Sequence, residues 1–171
     1  ADLAAYTNDK VIVARVYANP EVVQQDQTVN PLANIYHGAH VAGIAAGSPV
    51  TAPSPDGSTV EVSGVAPGAW LMAYKMQDAY TPEMLRMIDD AIADGADVMN
   101  NSWGAAAMHV SDPEHHPLSE AFKAATAAGV VVVAAAGNAG TNGEATLGGP
   151  FQMLDEVITV ANVQTGRRLE E

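Results

Sequence analysis

Cysteine is absent from the 171-residue chain, so neither a disulfide framework nor thiolate chemistry is open to it. Aromatic residues fill only 5% of positions, which leaves the core to be built from small and branched side chains packed closely. Positive charge is scarce: 7 basic against 20 acidic residues give a net charge of −13 and a pI of about 4.5. A surface of that sign repels phosphate backbones and anionic headgroups. Nucleic acid and membrane surfaces are therefore not expected partners, whereas cations are favoured. Long apolar runs are missing too, because Gly, Asp or Asn interrupts each one before a membrane-spanning length, and no membrane insertion is expected. The start, Ala1-Asp2-Leu3, has neither an initiator methionine nor a signal-like apolar core, a pattern expected of an internal or processed segment.

What the chain does have is apolar content arranged in alternating patterns. Hydrophobic residues, mostly Ala and Val, make up 48%, which excludes a disordered chain and suits one domain with a core. Val11 to Tyr17, Trp70 to Met76, Ala96 to Ser102, Val130 to Ala136 and Val157 to Val163 read as strands. Between them, His37 to Gly47 reads as a helix of small residues. Thr81-Pro82 opens a second helix with an apolar stripe of Met84, Leu85, Ile88, Ala91 and Ile92, ended by Gly95. Leu118, Ala121, Phe122 and Ala125 mark a third, stopped by Gly129. Asn19 to Tyr36, with Pro20 and Pro31, reads as a loop. So do Ala105 to His116 and the Pro- and Gly-rich stretch Ser48 to Ser58. The alternation predicts an α/β fold with a mostly parallel sheet, and the continuous apolar strands predict that both its faces are covered.

Functional residues of such sheets gather at the C-terminal ends of the strands. Ser102-Trp103-Gly104 and Gly137-Asn138 both fall there. His37, at a helix start, and Asn138, at a strand tip, supply an imidazole and a carboxamide, two of the four parts of an acyl-transfer site. His109, His115 and His116 lie in a polar loop with Asp112 and Glu114, lack a regular spacing, and read as solvated rather than as metal ligands. The methionines at 72, 76, 84 and 87 read as core filler.

Taken in order, HGAHVAGIAAG, GVAPGAWLMAYKM, ADGADVMNNSWG, AATAAGVVVVAAAGNAG and VITVANV resemble the subtilisin-like serine protease family, the subtilases of peptidase family S8. The resemblance runs from Tyr36 to Val163. It implies a three-layer α/β/α fold with a mostly parallel sheet, and serine-type endopeptidase activity on polypeptide substrates through an acyl-enzyme. By the same resemblance, His37 is the general base and Asn138 the oxyanion-hole donor, the two meeting at one cleft, with His40 a structural neighbour. Ser102, Trp103 and Gly104 would pair with the substrate backbone and wall its main pocket, while Ala135, Ala136 and Gly137 would form the facing wall. A secreted or cell-surface location is implied as well. No cofactor is required; calcium, as a structural ion, is expected from the family without a recognisable ligand loop here.

Two blocks of that family are absent. No strand ends in Asp followed by Thr or Ser and then Gly, and the upstream acids Asp2, Asp9, Glu21 and Asp26 follow no buried strand directly. No serine has a Gly-Thr-Ser setting leading into a small-residue helix. Ala39 stands where the family usually has threonine. The expectation is therefore that residues 1–171 form a partial, incomplete peptidase domain lying between those two blocks, with Arg167-Arg168 near the start of an inserted protease-associated domain. Such a chain would be inactive alone and would work with other segments of the same protease or self-associate. The alternative is a non-catalytic remnant serving as a binding or assembly module.

Overall fold

Seven residues, five of them β-branched or aromatic, form the first strand, β1 (Val11–Tyr17), which pairs in parallel with β4 (Leu71–Met76) from Val11 opposite Leu71 to Tyr17 opposite Met76. Tyr17 stacks on Tyr74 with ring centroids 6.4 Å apart. The computed structural model describes residues 4–19, 21, 36–77, 80–104, 111–143 and 146–163. It divides into two compact units, Ala1–Met87 and Ile88–Glu171. The expected Asn19–Tyr36 loop, apart from Asn19, Glu21 and Tyr36, lies outside the described residues, as do Asp2, Asp26, His109 and Arg167-Arg168.

In the first unit, helix α1 (His37–Ala46) and an antiparallel hairpin, β2 (Val50–Pro53) with β3 (Thr59–Val62), come between the two parallel strands in sequence. The hairpin corrects the expectation of a plain loop at Ser48 to Ser58. Prolines and a glycine dominate that stretch, yet they are confined to the strand end and the turn, where Gly57 takes φ of +84°. The β-branched Val50, Thr51, Thr59, Val60 and Val62 on either side supply the pairing residues.

α1 carries two glycines, each of which weakens a helix interior by about 1 kcal/mol relative to alanine. Its end is secured from outside. Gly64, Val65 and Ala66 donate their backbone N–H groups to Gly47, Ile44 and Ala45, each at 2.9 Å, satisfying carbonyls that a helix end leaves orphaned. A side chain on Gly64 would run into the Ala46–Gly47 backbone. The Gly-Val-Ala-Pro-Gly block is thus the C-terminal clamp of the helix that carries His37.

Helix α2 (Thr81–Ala93) buries Met84, Ile88 and Ala91 of the expected stripe; Leu85 and Ile92, also expected in it, are half-buried, and Met87 is buried beside them. Its first carbonyl acceptor is Tyr80, so Thr81 falls inside the helix rather than at its cap. Glu83, buried on this helix, is held by Arg86, whose Nη1 lies 3.0 Å from both carboxylate oxygens. Gly95, at φ of +82°, ends the turn, with Ala96 N–H returning to the Ala91 carbonyl.

The second unit holds a three-stranded parallel sheet, in order β5 (Val98–Asn101), β6 (Val131–Ala135) and β7 (Ile158–Val160). Helix α3 (Pro117–Ala127) packs on β6, burying Leu118, Phe122 and Ala125. His116 caps this helix: its Nδ1 accepts from the Leu118 N–H at 3.2 Å, with Pro117 at the first helical position. Met99, Val132 and Ala134 face the core with Phe151 and Leu154. On the opposite face Val98, Val131, Ile158 and Val160 are each between 45% and 58% exposed. Both faces of these strands are apolar, so the residue pattern is that of a two-sided sheet even where only one side is buried.

Candidate functional site

The two chemically central residues belong to different units. In the first, His37 is the opening residue of α1, following Tyr36, whose carbonyl accepts the His40 N–H at 2.8 Å. The His37 side chain is exposed and makes no hydrogen bond to a described residue, and His40 is exposed as well. Asp9, described and exposed, lies in the turn before β1 and not at a strand end.

In the second unit, β6 delivers Asn138. Beyond Ala135 the chain keeps one more bond to β7, from Ala136 N–H to the Val160 carbonyl at 2.9 Å. It then turns at Gly137, whose φ of +101° is a left-handed conformation that side chains resist. The turn leaves Asn138 exposed, its carboxamide without a hydrogen bond to any described residue.

The other expected site residues lie around one short segment. A Cβ on Gly104 would come within 2.8 Å of the Gly148 carbonyl oxygen, and one on Gly137 within 3.2 Å of Gly148 Cα. Gly148 N–H also donates to the Ala136 carbonyl at 3.0 Å. The Ser102–Gly104 segment and the Ala135–Gly137 segment therefore both close on Gly148, and both close approaches require glycine. Ser102 Oγ accepts from Asn100 Nδ2 at 3.0 Å, an engagement with a neighbour on its own strand rather than with a base. The Trp103 ring packs against Phe151 and Phe122, with centroids 5.0 and 6.4 Å away, and its half-buried side chain contributes to the core.

The polar loop before α3 resolves into separate pairs. His115 Nδ1 lies 3.0 Å from both Asp112 oxygens, a contact that holds the Asp112 carboxyl below its usual range. Lys123 binds Glu114 at 2.6 Å and, more loosely, Glu120; the Glu114 bond raises the lysine above its usual value. His116 is used as the helix cap. Among the described residues, no group of three or more His, Asp or Glu side chains could hold a metal ion. No described helix is long and apolar enough to cross a membrane.

The sequence model of the subtilase family matches residues 6–170. This chain belongs to the subtilase family. It is similar to the CO(2)-response secreted protease of Arabidopsis thaliana, 34% identical over 140 residues that cover 80% of this chain and 18% of that protein. It is also similar to the PII-type proteinase of Lactococcus lactis subsp. cremoris, 36% identical over 152 residues covering 84% of this chain and 7% of that protein. Among solved structures it matches the protease domain of PatA, determined as a serine-to-alanine mutant, at 28% identity and a TM-score of 0.50, covering 72% of this chain and 41% of that one. The chain thus spans about a fifth or less of the curated relatives named here. Its α/β architecture with mostly parallel sheets is an incomplete subtilisin-like fold.

The site around Gly148 was not singled out from sequence. The signal available was Gly148-Gly149-Pro150, two residues without side chains and a fixed turn between a strand tip and the next apolar run. Gln152, a polar residue within that run, was missed with it.

Proposed function

We propose that this subtilase chain is part of a serine endopeptidase, in which His37 is the general base and Asn138 donates a hydrogen bond to the oxyanion. His37 takes the proton from a serine hydroxyl and returns it to the leaving amine, while the Asn138 N–H stabilises charge developing on the carbonyl oxygen. Ser102, Trp103 and Gly104 pair with the substrate backbone, and Ala135, Ala136 and Gly137 wall the pocket for one of its side chains. The observation that carries this reading is a shared neighbour: Gly104 and Gly137 both close on Gly148, which brings the substrate-pairing segment and the segment leading into Asn138 together. The nucleophile and the orienting carboxylate are supplied by segments carrying the Ser and Asp blocks, which these 171 residues do not contain. No cofactor takes part. A structural calcium, if the complete enzyme uses one, is not held by any acidic cluster among the described residues. The enzyme acts outside the cell or at its surface, a reading supported by the Arabidopsis relative, which is named a secreted protease.

A base without a nucleophile forms no covalent intermediate, so the 171-residue chain alone is inactive. Fluorophosphonate labelling and a chromogenic peptide assay test this, run on the chain alone and on the chain joined to Ser and Asp segments. Labelling of the second sample only, lost on His37→Ala, is expected; turnover by the purified chain alone overturns the reading. The open apolar face of Val98, Val131, Ile158 and Val160 favours a second reading, a remnant that acts by binding. A stable complex in which neither component is labelled would select it.

A further inference from the structure

Gln152 sits in the short 3₁₀ turn Phe151–Met153 and is only 3% exposed. Its Nε2 donates to the Trp103 carbonyl at 3.4 Å, and its Oε1 is buried with no hydrogen-bond partner among the described residues. Burying a carboxamide with one end unsatisfied is unfavourable, and leucine or methionine would fill similar space without that penalty. The surroundings nonetheless make room for it. A Cβ on Gly149 would lie 2.8 Å from Oε1, and one on Gly104 would lie 3.2 Å from Nε2. The residue's own carbonyl accepts from Thr159 Oγ1 on β7 at 2.8 Å, which anchors the base of the side chain to the sheet. The orientation of the amide is dictated by chemistry, since a carbonyl oxygen accepts only from the nitrogen end.

We propose that Gln152 is a positioning residue for the substrate-pairing segment Ser102–Gly104, an inference that rests on the peptidase reading above. Gln152 takes the Trp103 carbonyl, the middle one of the three, and so fixes the backbone at the centre of this segment. The Trp103 side chain is tied as well, by its indole N–H to Asn101 and by ring packing on Phe151. A backbone held in this way is ready for a substrate strand that adds by main-chain hydrogen bonds. An extended polypeptide, paired over several residues, feels this positioning, whereas a short acyl ester does not reach the segment.

The test compares wild type, Gln152→Leu and Gln152→Met in the enzyme assembled with its Ser and Asp segments, using an extended tetrapeptide and a single-residue ester. One lost hydrogen bond at the substrate strand predicts a KM about three- to tenfold higher for the tetrapeptide. Its kcat, and both constants for the ester, stay unchanged. Methionine preserves volume without the amide, so it guards against a leucine variant that fails to fold. Equal losses on both substrates, or no loss on either, overturn the inference. A wild-type enzyme that hydrolyses neither substrate overturns the peptidase reading instead.

Discussion

Trp103 donates its indole N–H to Asn101 Oδ1 at 3.2 Å, across two residues of one segment. Asn101 is itself 5% exposed and reaches from β5 to the Val133 carbonyl of β6 at 3.3 Å. One buried carboxamide therefore joins two strands and fixes the indole of the third residue of the NSW run. The ring is turned onto Phe151 and Phe122, whose centroids are 4.4 Å apart. Both phenylalanines of the chain are spent on this one cluster.

Phe122 is fully buried between α3 and Phe151, so its truncation leaves a cavity that the surrounding rings cannot fill. Phe122→Ala is expected to lower stability by about 3–5 kcal/mol, with the loss of the near-ultraviolet circular dichroism of Trp103. Urea unfolding followed by both far- and near-ultraviolet signals measures it. A loss under about 1 kcal/mol would show that the aromatic cluster is not the core of this unit.

Ser119 presents the opposite case. It is fully buried on α3, and its hydroxyl has no hydrogen-bond partner among the described residues. Replacing an unpartnered buried hydroxyl removes a desolvation penalty, and alanine is the better helix former. Ser119→Ala should raise stability by about 1 kcal/mol, read as a higher urea midpoint at unchanged slope. A fall in the midpoint would mean that the hydroxyl has a partner after all.

The strands and helices were legible because their signals are local and repeated. The spacing of Met84, Leu85, Ile88, Ala91 and Ile92, for example, marks α2 in the sequence, and Gly95 and Gly129 end helices where left-handed φ angles favour glycine. The hairpin was hidden because the prolines and glycine of its ends and turn outweigh four-residue strands in a composition reading. His116 reads as a solvated loop histidine in the sequence, whereas its Nδ1 accepts from the Leu118 N–H and caps α3, a role that only the backbone geometry reveals. The roles of Gly148 and Gln152 depend on contacts between residues more than 40 positions from Gly104 and Trp103, and no periodicity encodes such contacts.

The hairpin turn carries a pH dependence of definite sign. Ser58 donates to Asp56 through its hydroxyl at 2.6 Å and its backbone N–H at 2.9 Å, and these bonds hold the Asp56 carboxyl below its usual range. A carboxylate depressed in the folded state contributes stability that is present above its unfolded value and is lost as pH falls through the folded value. The Ser58 amide resonance should therefore titrate with a midpoint below about 3.9, and Asp56→Asn should flatten that titration. A midpoint at or above the ordinary carboxylate value would contradict the assigned bonds.

Asn138 gives the sharpest test of the assigned chemistry, because its carboxamide has no structural work to do. It is exposed and makes no hydrogen bond to a described residue, so removing it should leave stability within about 0.5 kcal/mol of wild type. An oxyanion donor acts on charge that appears only in the transition state, so its loss lowers kcat and spares KM. Asn138→Ala in the assembled enzyme is expected to reduce kcat by roughly 10²–10³, the size seen for oxyanion-hole asparagines in subtilases and not a figure calculated from this chain. Gly137→Ala should give a similar loss in kcat together with lower stability, since its φ of +101° strains any side chain and a methyl group would press on the Gly148 backbone at 3.2 Å. Steady-state kinetics on one peptide series separates the two substitutions. An Asn138→Ala enzyme with undiminished kcat would remove this residue from the reaction, whatever its neighbours do.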